Sequence, residues 1–197
     1  YFSVNVRGTL NVLEACRRSG IKRLVYPASA ACYGTSDQYP TPEDAPMRPQ
    51  YPYALTKQLG EELVLHWAKV YGLSAVSLRF FNIYGPHASA MFGLFISQMR
   101  AGQPITITGD GSQTRDFTYI SDIVDAIVAA LQSNQTAEAY NIGSGTTVSV
   151  RRFAELLGSD IKYIPRRRGE MDVTFGDISK ALRELDWKPR ISVEEGI

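Results

Sequence analysis

Apolar residues recur at helical spacing from the first positions of the chain. Val6, Leu10, Leu13 and, less strictly, Arg17 share one face, with Val12 and Cys16 beside them, and Gly20 ends the pattern. Arg23-Leu24-Val25-Tyr26 predicts a short buried strand bounded by Pro27, with Ser29 following at its carboxyl end. Residues 34–52 are rich in Pro, Gly, Asp and Tyr and predict a long loop, a length at which loops often carry function. Helical spacing resumes at Leu55, Leu59, Leu63, Trp67 and Val70, which predicts a helix over 53–71 closing near Gly72. Residues 74–81 predict a second strand. Helix, strand, helix and strand at this spacing predict an α/β fold with a parallel sheet.

The texture changes beyond Asn82. Gly85-Pro86 marks a break, 91–101 predicts a helix, 105–107 a short strand and 109–111 a turn. A clear amphipathic helix is predicted over 120–132 through Ile123, Ile127, Val128 and Leu131, followed by a strand at 140–142 and helices near 150–157 and 178–185. This second part predicts a smaller mixed α/β lobe. The expected division is therefore 1–83 and 84–197, with residues near 116–142 as candidates to return to the first unit. There is no internal repeat, low-complexity tract or coiled coil.

Composition narrows the classes. Hydrophobic residues at 44% and charged residues at 21% suit an ordinary soluble globular protein, and the net charge of +1 argues against a nucleic-acid or membrane-surface binder. Arg166-Arg167-Arg168 is the one basic run, and a solvated stretch accounts for it. Cys16 and Cys32 are too few for a disulfide framework and read as reduced thiols in a cytoplasmic protein. His66 and His87 are isolated, no metal-ligand spacing occurs, and no apolar run reaches the ~20 residues of a membrane span. No stretch of these residues reads as a signal peptide. The chain lacks an initial Met and Tyr1-Phe2-Ser3 leads straight into a helical pattern, so a fragment is expected.

The candidate chemistry centres on Pro52-Tyr53-Ala54-Leu55-Thr56-Lys57. Tyr and Lys four apart on a helix face the same way, about 6 Å between Cβ atoms. An ammonium beside a phenol favours the phenolate, which makes such a pair a general base for an alcohol proton. Ser29 ends one strand and Tyr53 opens the helix before the next, and open parallel sheets bind ligands outside the carboxyl ends of their strands. Ser29 can hold a substrate hydroxyl while Tyr53 moves its proton; a strand-end cap or turn is the alternative.

Several segments together resemble the extended short-chain dehydrogenase/reductase family, and more narrowly its nucleotide-sugar epimerase/dehydratase branch. They are Asn5-Val6-x-Gly8-Thr9, Ser29-Ala30-Ala31-Cys32-Tyr33-Gly34, Pro52-Tyr53-x-x-x-Lys57, Leu78 to Pro86, Gly109 to Phe117, Arg167-Arg168-Gly169-Glu170, Asp177 to Ala181 and Trp187-Lys188-Pro189. The resemblance runs in order from residue 5 to 197. It implies that 1–83 is the remainder, the C-terminal half, of a doubly wound Rossmann-type parallel sheet that holds NAD, and that 84–197 is a smaller sugar-nucleotide lobe. It implies Ser29, Tyr53 and Lys57 as catalytic residues, with Asn5, Ala28, Tyr53, Lys57 and Phe81 at the cofactor. It further implies Ser29, Asn82, Arg115, Arg167 and Thr174 at the substrate, the arginines clamping a diphosphate as guanidinium forks suit. For Arg115 an ion pair with Asp116 is the alternative, for Arg167 a solvated face, and for Thr174 a plain β-branched strand residue. The family's Gly-x-x-Gly-x-x-Gly fingerprint and its ribose-reading acid are absent from these residues. Family order puts both upstream of Asn5, in roughly 90 residues of three β-α units, and continues past Ile197, so truncation at both ends is expected.

The resemblance also implies a common opening step, in which Tyr53 takes the proton of the sugar 4-hydroxyl while the C4 hydride passes to NAD. Relatives that eliminate water or carbon dioxide carry acids just after the Ser; this chain has Ala30 and Ala31, and a methyl group is neither acid nor base. The expectation is a UDP-hexose 4-epimerase acting on UDP-glucose and UDP-galactose, with UDP-N-acetylglucosamine admitted because Thr174 is small. A 4-keto-sugar reductase and a catalytically silent nucleotide-sugar binder remain alternatives. A homodimer is the partner expected by analogy.

Overall fold

The computed structural model describes residues 1–167 and 169–197. A π-helical turn, Ser3–Gly8, runs into α1 (Thr9–Arg18). There follow β1 (Leu24–Ser29), a 3-10 turn at Ala30–Tyr33, α2 (Pro52–Tyr71) and β2 (Ala75–Phe80). The second half contains β3 (Asn82–Tyr84), α3 (Ala90–Arg100), β4 (Ile105–Thr108), β5 (Thr114–Arg115), β6 (Phe117–Tyr119) and α4 (Ile120–Gln132). It closes with β7 (Glu138–Ile142), β8 (Val148–Ser149), α5 (Val150–Leu156), β9 (Ile161–Ile164), β10 (Val173–Thr174), α6 (Ser179–Glu184) and α7 (Val193–Gly196).

The main sheet is parallel, in the order β1-β2-β7. Its central strand is covered on both faces, and strand alternation sends its side chains to two different layers. Val76 and Leu78 meet Ile123, Ala126 and Ala130 of α4, with Tyr140, Ile142, Ala181 and Trp187. Ala75 packs with Leu13, Tyr26, Val64 and Ala68 on the α1–α2 side. On that same side Ser77 and Arg79 meet Glu61 of α2, with Arg79 and Glu61 forming a 2.7 Å ion pair. A second core gathers Tyr84, Phe95, Ile105, Ile107, Phe117 and Phe153 from the smaller sheets and from α3 and α5. β7 and α4 thus pack with the first half of the chain, as do Ala181 and Trp187.

Three details depart from the sequence-based expectations. β1 continues through Pro27 to Ser29, paired in parallel register with Ala75–Phe80 of β2 over its whole length. Of the apolar stripe expected on α2, Leu55 and Val70 are exposed. The buried face is Ala54, Thr56, Gly60, Glu61, Val64 and Ala68. Small residues win there because the helix lies close to the sheet: a Cβ on Gly60 would come within 2.1 Å of the Tyr26 hydroxyl. On α4, Ile123 is buried as expected but Val128 and Leu131 are exposed, with Ala126 and Ala130 completing the packed face.

The long loop after the 3-10 turn is stitched down rather than free. Thr41 bridges to Gly176, its N–H donating to Phe175 O at 2.7 Å, and Arg79 donates to Glu43 O at 2.7 Å. Among the described residues no helix is long and apolar enough to cross a membrane. Among the described residues no group of three or more His, Cys, Asp or Glu is placed to hold a metal ion.

Candidate active site

Ser29 stands at the carboxyl end of β1, where the chain turns into Ala30–Tyr33. Its hydroxyl oxygen accepts from the Ala31 N–H at 3.2 Å, so it caps that turn and keeps its own proton to donate. Tyr51 is extended and Pro52 occupies the first helical position of α2, which sets Tyr53 in the first turn. Ser29 and Tyr53 line one cavity of about 480 Å³. Ala30, Ala31, Phe81, Asn82 and Thr174 line it too. Ser29 thus both caps the turn and lines the cavity.

Lys57 lies one turn along from Tyr53. Its ammonium donates to Pro27 O at 2.5 Å and sits 5.1 Å from the centre of the Tyr26 ring, and burial pulls its pKa down. It therefore reaches the end of β1 from the α2 side rather than lining the Ser29–Tyr53 cavity. Asn5 donates to the Thr56 hydroxyl at 3.0 Å, tying the first helical segment to α2. Ala28 is buried in β1. Phe81, also buried, packs its ring against the backbone at Gly176, where a Cβ would come within 2.5 Å of it.

A second cavity of about 730 Å³ is lined by Arg115, Arg167, Gln113 and Glu170. β5 pairs with β10 so that Arg115 and Thr174 are direct partners. Arg115 is 9% exposed and donates to Thr114 O at 2.8 Å. Its ion-pair neighbour is Glu170 at 3.8 Å. The alternative pairing with Asp116 does not occur. Asp116 points the other way, accepting from the Ser144 N–H at 2.6 Å and hydroxyl at 2.9 Å, and burial pushes its carboxyl up to about 6. Burial likewise pulls the Arg115 guanidinium down.

Asn82 and Thr174 line both cavities. Both amide protons of Asn82 are engaged within the protein, one with Thr174 Oγ1 at 3.0 Å and one with Asp116 O at 3.2 Å, and its backbone N–H donates to the same carbonyl at 2.9 Å. Thr174 is thus no isolated strand residue; it borders Asn82, Arg115 and both cavities.

Sequence reasoning missed Asp116, whose carboxylate ties the strand after Arg115 to the turn at Ser144, and it missed Tyr51, Met91 and Met171 on the walls of both cavities. Tyr51 adjoins the Tyr-x-x-x-Lys motif but falls outside its helical spacing. Nothing in local pattern brings Met171 beside Met91.

The family model described as the NAD dependent epimerase/dehydratase family matches residues 1–143. A UDP-glucose 4-epimerase of Mycolicibacterium smegmatis is 33% identical over 207 residues, covering 99% of this chain and 66% of the relative. An epimerase of Methanothermobacter thermautotrophicus superposes with a TM-score of 0.93 at 34% identity, over 99% of this chain and 62% of that one. A UDP-glucuronic acid 4-epimerase of Bacillus cereus, solved in complex with UDP-glucuronic acid and NAD, superposes with a TM-score of 0.91 at 33% identity, over 100% of this chain and 65% of that one. The chain thus spans about two thirds of the length of these relatives. With the match over residues 1–143 and the agreement in fold, the chain belongs to the NAD-dependent epimerase/dehydratase family.

Proposed function

We propose that the whole protein is a NAD-dependent UDP-hexose 4-epimerase. The observation that carries this is the 480 Å³ cavity, which joins the hydroxyls of Ser29 and Tyr53 while its neighbouring wall is Ala30 and Ala31. Among the described residues lining that cavity there is no Asp or Glu to act as a second acid or base for elimination. His87 also lines it, but no carboxyl group does among the described residues, and with NAD bound the return of hydride to the opposite face of C4 would be favoured over elimination.

In this reading Ser29 donates its free proton to the sugar 4-oxygen, and Tyr53 takes the 4-hydroxyl proton and gives it back. Lys57 neutralises charge beside the Tyr53 helix turn and holds the cofactor ribose. Ala28, Asn5 and Phe81 complete the cofactor wall. The residues present suit a flat nicotinamide ring: Ala28, Ala30 and Ala31 are small at the strand end, and Phe81 is seated against Gly176. NAD, when bound, supplies the hydride acceptor and returns the hydride. Arg115 and Arg167 line the second cavity, where guanidinium groups suit a diphosphate. Asn82 bounds both ends, and Thr174, small and beside Asn82, leaves room for an acetamido group at the sugar's 2-position. Residues 1–83 with 116–142 form the remainder of the dinucleotide-binding unit and the rest of 84–197 the substrate lobe, with α6 lying on the first. The reading includes a homodimer, by analogy with the family.

The test uses the chain extended to the full length of its relatives. UDP-glucose is expected to convert to UDP-galactose by NMR with no net change in nicotinamide absorbance. Stoichiometric consumption of NADPH would identify a reductase instead, and no turnover at all a silent binder.

A further inference from the structure

The two cavities meet at a neck formed by Tyr51, Asn82, Ala90, Met91, Met171 and Thr174, which line both. If the hexose lies against Ser29 and Tyr53 and the arginines hold phosphate, the phosphoryl group next to the sugar has to pass this neck. That clause rests on the function proposed above. A phosphoryl oxygen desolvated there needs a hydrogen-bond donor. Asn82 has none to spare, because its two amide protons go to Thr174 Oγ1 and Asp116 O and its backbone N–H to Asp116 O. Two donors remain among the polar neck residues, the hydroxyls of Tyr51 and Thr174. Thr174 Oγ1 is already anchored by Asn82 at 3.0 Å.

Tyr51 is the better placed of the two. Its ring stacks parallel to that of Tyr53, with centroids 6.4 Å apart and an interplanar angle of 10°, so it forms one wall with the proposed base. No described residue hydrogen-bonds its phenol, and Tyr51 is 41% exposed. Its hydroxyl is therefore uncommitted, within the field of Arg115, on a residue that lines both cavities.

We infer that Tyr51 is a further substrate-binding residue, its phenol donating a hydrogen bond to the sugar-proximal β-phosphoryl group of the nucleotide sugar. It bridges the Arg115 end of the cleft to the Tyr53 end and limits how far the diphosphate moves while the sugar turns.

The experiment compares wild type with Tyr51→Phe in the chain extended to its relatives' length, titrating UDP and UMP by calorimetry. UDP carries the β-phosphoryl group and UMP lacks it. Tyr51→Phe keeps the ring and its stack on Tyr53, so it removes the hydroxyl alone. The expected result is a loss of about tenfold or more in UDP affinity, the scale of a hydrogen bond to a charged group, with UMP affinity within about twofold. UMP binding doubles as the check that the site is folded. Unchanged UDP affinity overturns the assignment, as does equal loss of UDP and UMP, or no binding of either to wild type. These titrations need no turnover, so a failure of the epimerase reading stays distinguishable from a failure of the Tyr51 assignment. Where turnover is present, the loss in kcat/KM is expected in KM; a loss confined to kcat would move Tyr51 to the proton route and overturn the proposal.

Discussion

Glu61 and Arg79 are both charged, both buried and joined across the interface between α2 and β2. Their side chains are 1% and 6% exposed, and Arg79 meets Glu61 through Nε at 3.1 Å and Nη2 at 2.7 Å. Ser77 adds a 2.7 Å bond to the same carboxylate. In Glu61→Leu the guanidinium keeps the Tyr33 hydroxyl at 2.6 Å and Glu43 O at 2.7 Å but faces no counter-charge. Breaking a buried pair from one side leaves an uncompensated charge and costs about 3–5 kcal/mol. Removing both charges, in Glu61→Leu with Arg79→Met, takes away the penalty with its cause, so much of the loss should return, with a coupling energy of about 1–3 kcal/mol. The assay is urea unfolding of wild type, both single variants and the double variant, with midpoints compared at constant m value. The single Glu61→Leu midpoint should fall by about 1 M or more. A loss below about 1 kcal/mol in Glu61→Leu, or a double variant that simply sums the two singles, would refute the account of how α2 is fixed on the sheet. The pair bears on function because α2 carries Tyr53 and the sheet carries Ser29.

Three further outcomes are expected. Tyr53→Phe in the chain extended to its relatives' length should lose about 10²–10⁴-fold or more in kcat while UDP-sugar binding persists, since only the proton carrier is removed; near-normal turnover removes Tyr53 as the base. Asp116 binds protons more tightly folded than unfolded, because burial raises its carboxyl to about 6 from 3.8. Its stabilising contribution is therefore complete below the unfolded value and is lost as pH rises through about 6. The stability gap between wild type and Asp116→Asn should narrow or change sign from pH 4 to pH 7, the direction favouring the variant at the higher pH; melting temperatures that run parallel would contradict this. Thr174→Tyr should lower the ratio of specificity constants for UDP-N-acetylglucosamine over UDP-glucose, and an unchanged ratio would show that Thr174 is not the gate.

Local pattern sufficed for the elements whose burial follows their own periodicity. β2 reads as a strand from Val76, Leu78 and Phe80, and it is buried along nearly its whole length. Helix 53–71 was legible from its spacing and from Gly72, which closes it at a φ of 68°. Ser29, Tyr53 and Asn82 were legible as site candidates because each belongs to a short motif of the family. Which face of α2 turns inward was not legible. Hydrophobic periodicity favours large apolar residues, whereas close approach to a sheet selects small ones, and Ala54, Gly60 and Ala68 carry little hydrophobic signal.

The sequence by itself determined the order of the longer strands and helices, the α/β class and the motif residues, because these depend on contacts within a turn or a few residues. Only the tertiary structure decided the rest, through contacts between residues far apart in the chain. Arg115 faces Glu170 rather than its neighbour Asp116, because strand alternation sends adjacent side chains to opposite sides. Arg79 finds Glu61 across a helix–sheet interface. Asn82 has its amide protons taken by Thr174 and Asp116, 92 and 34 residues away. Tyr51 becomes a wall shared by both cavities because Met91, and Met171 with Thr174, join it there from two separate segments. Such partners leave no local trace, since periodicity reports which face of an element is apolar and not what that face will meet.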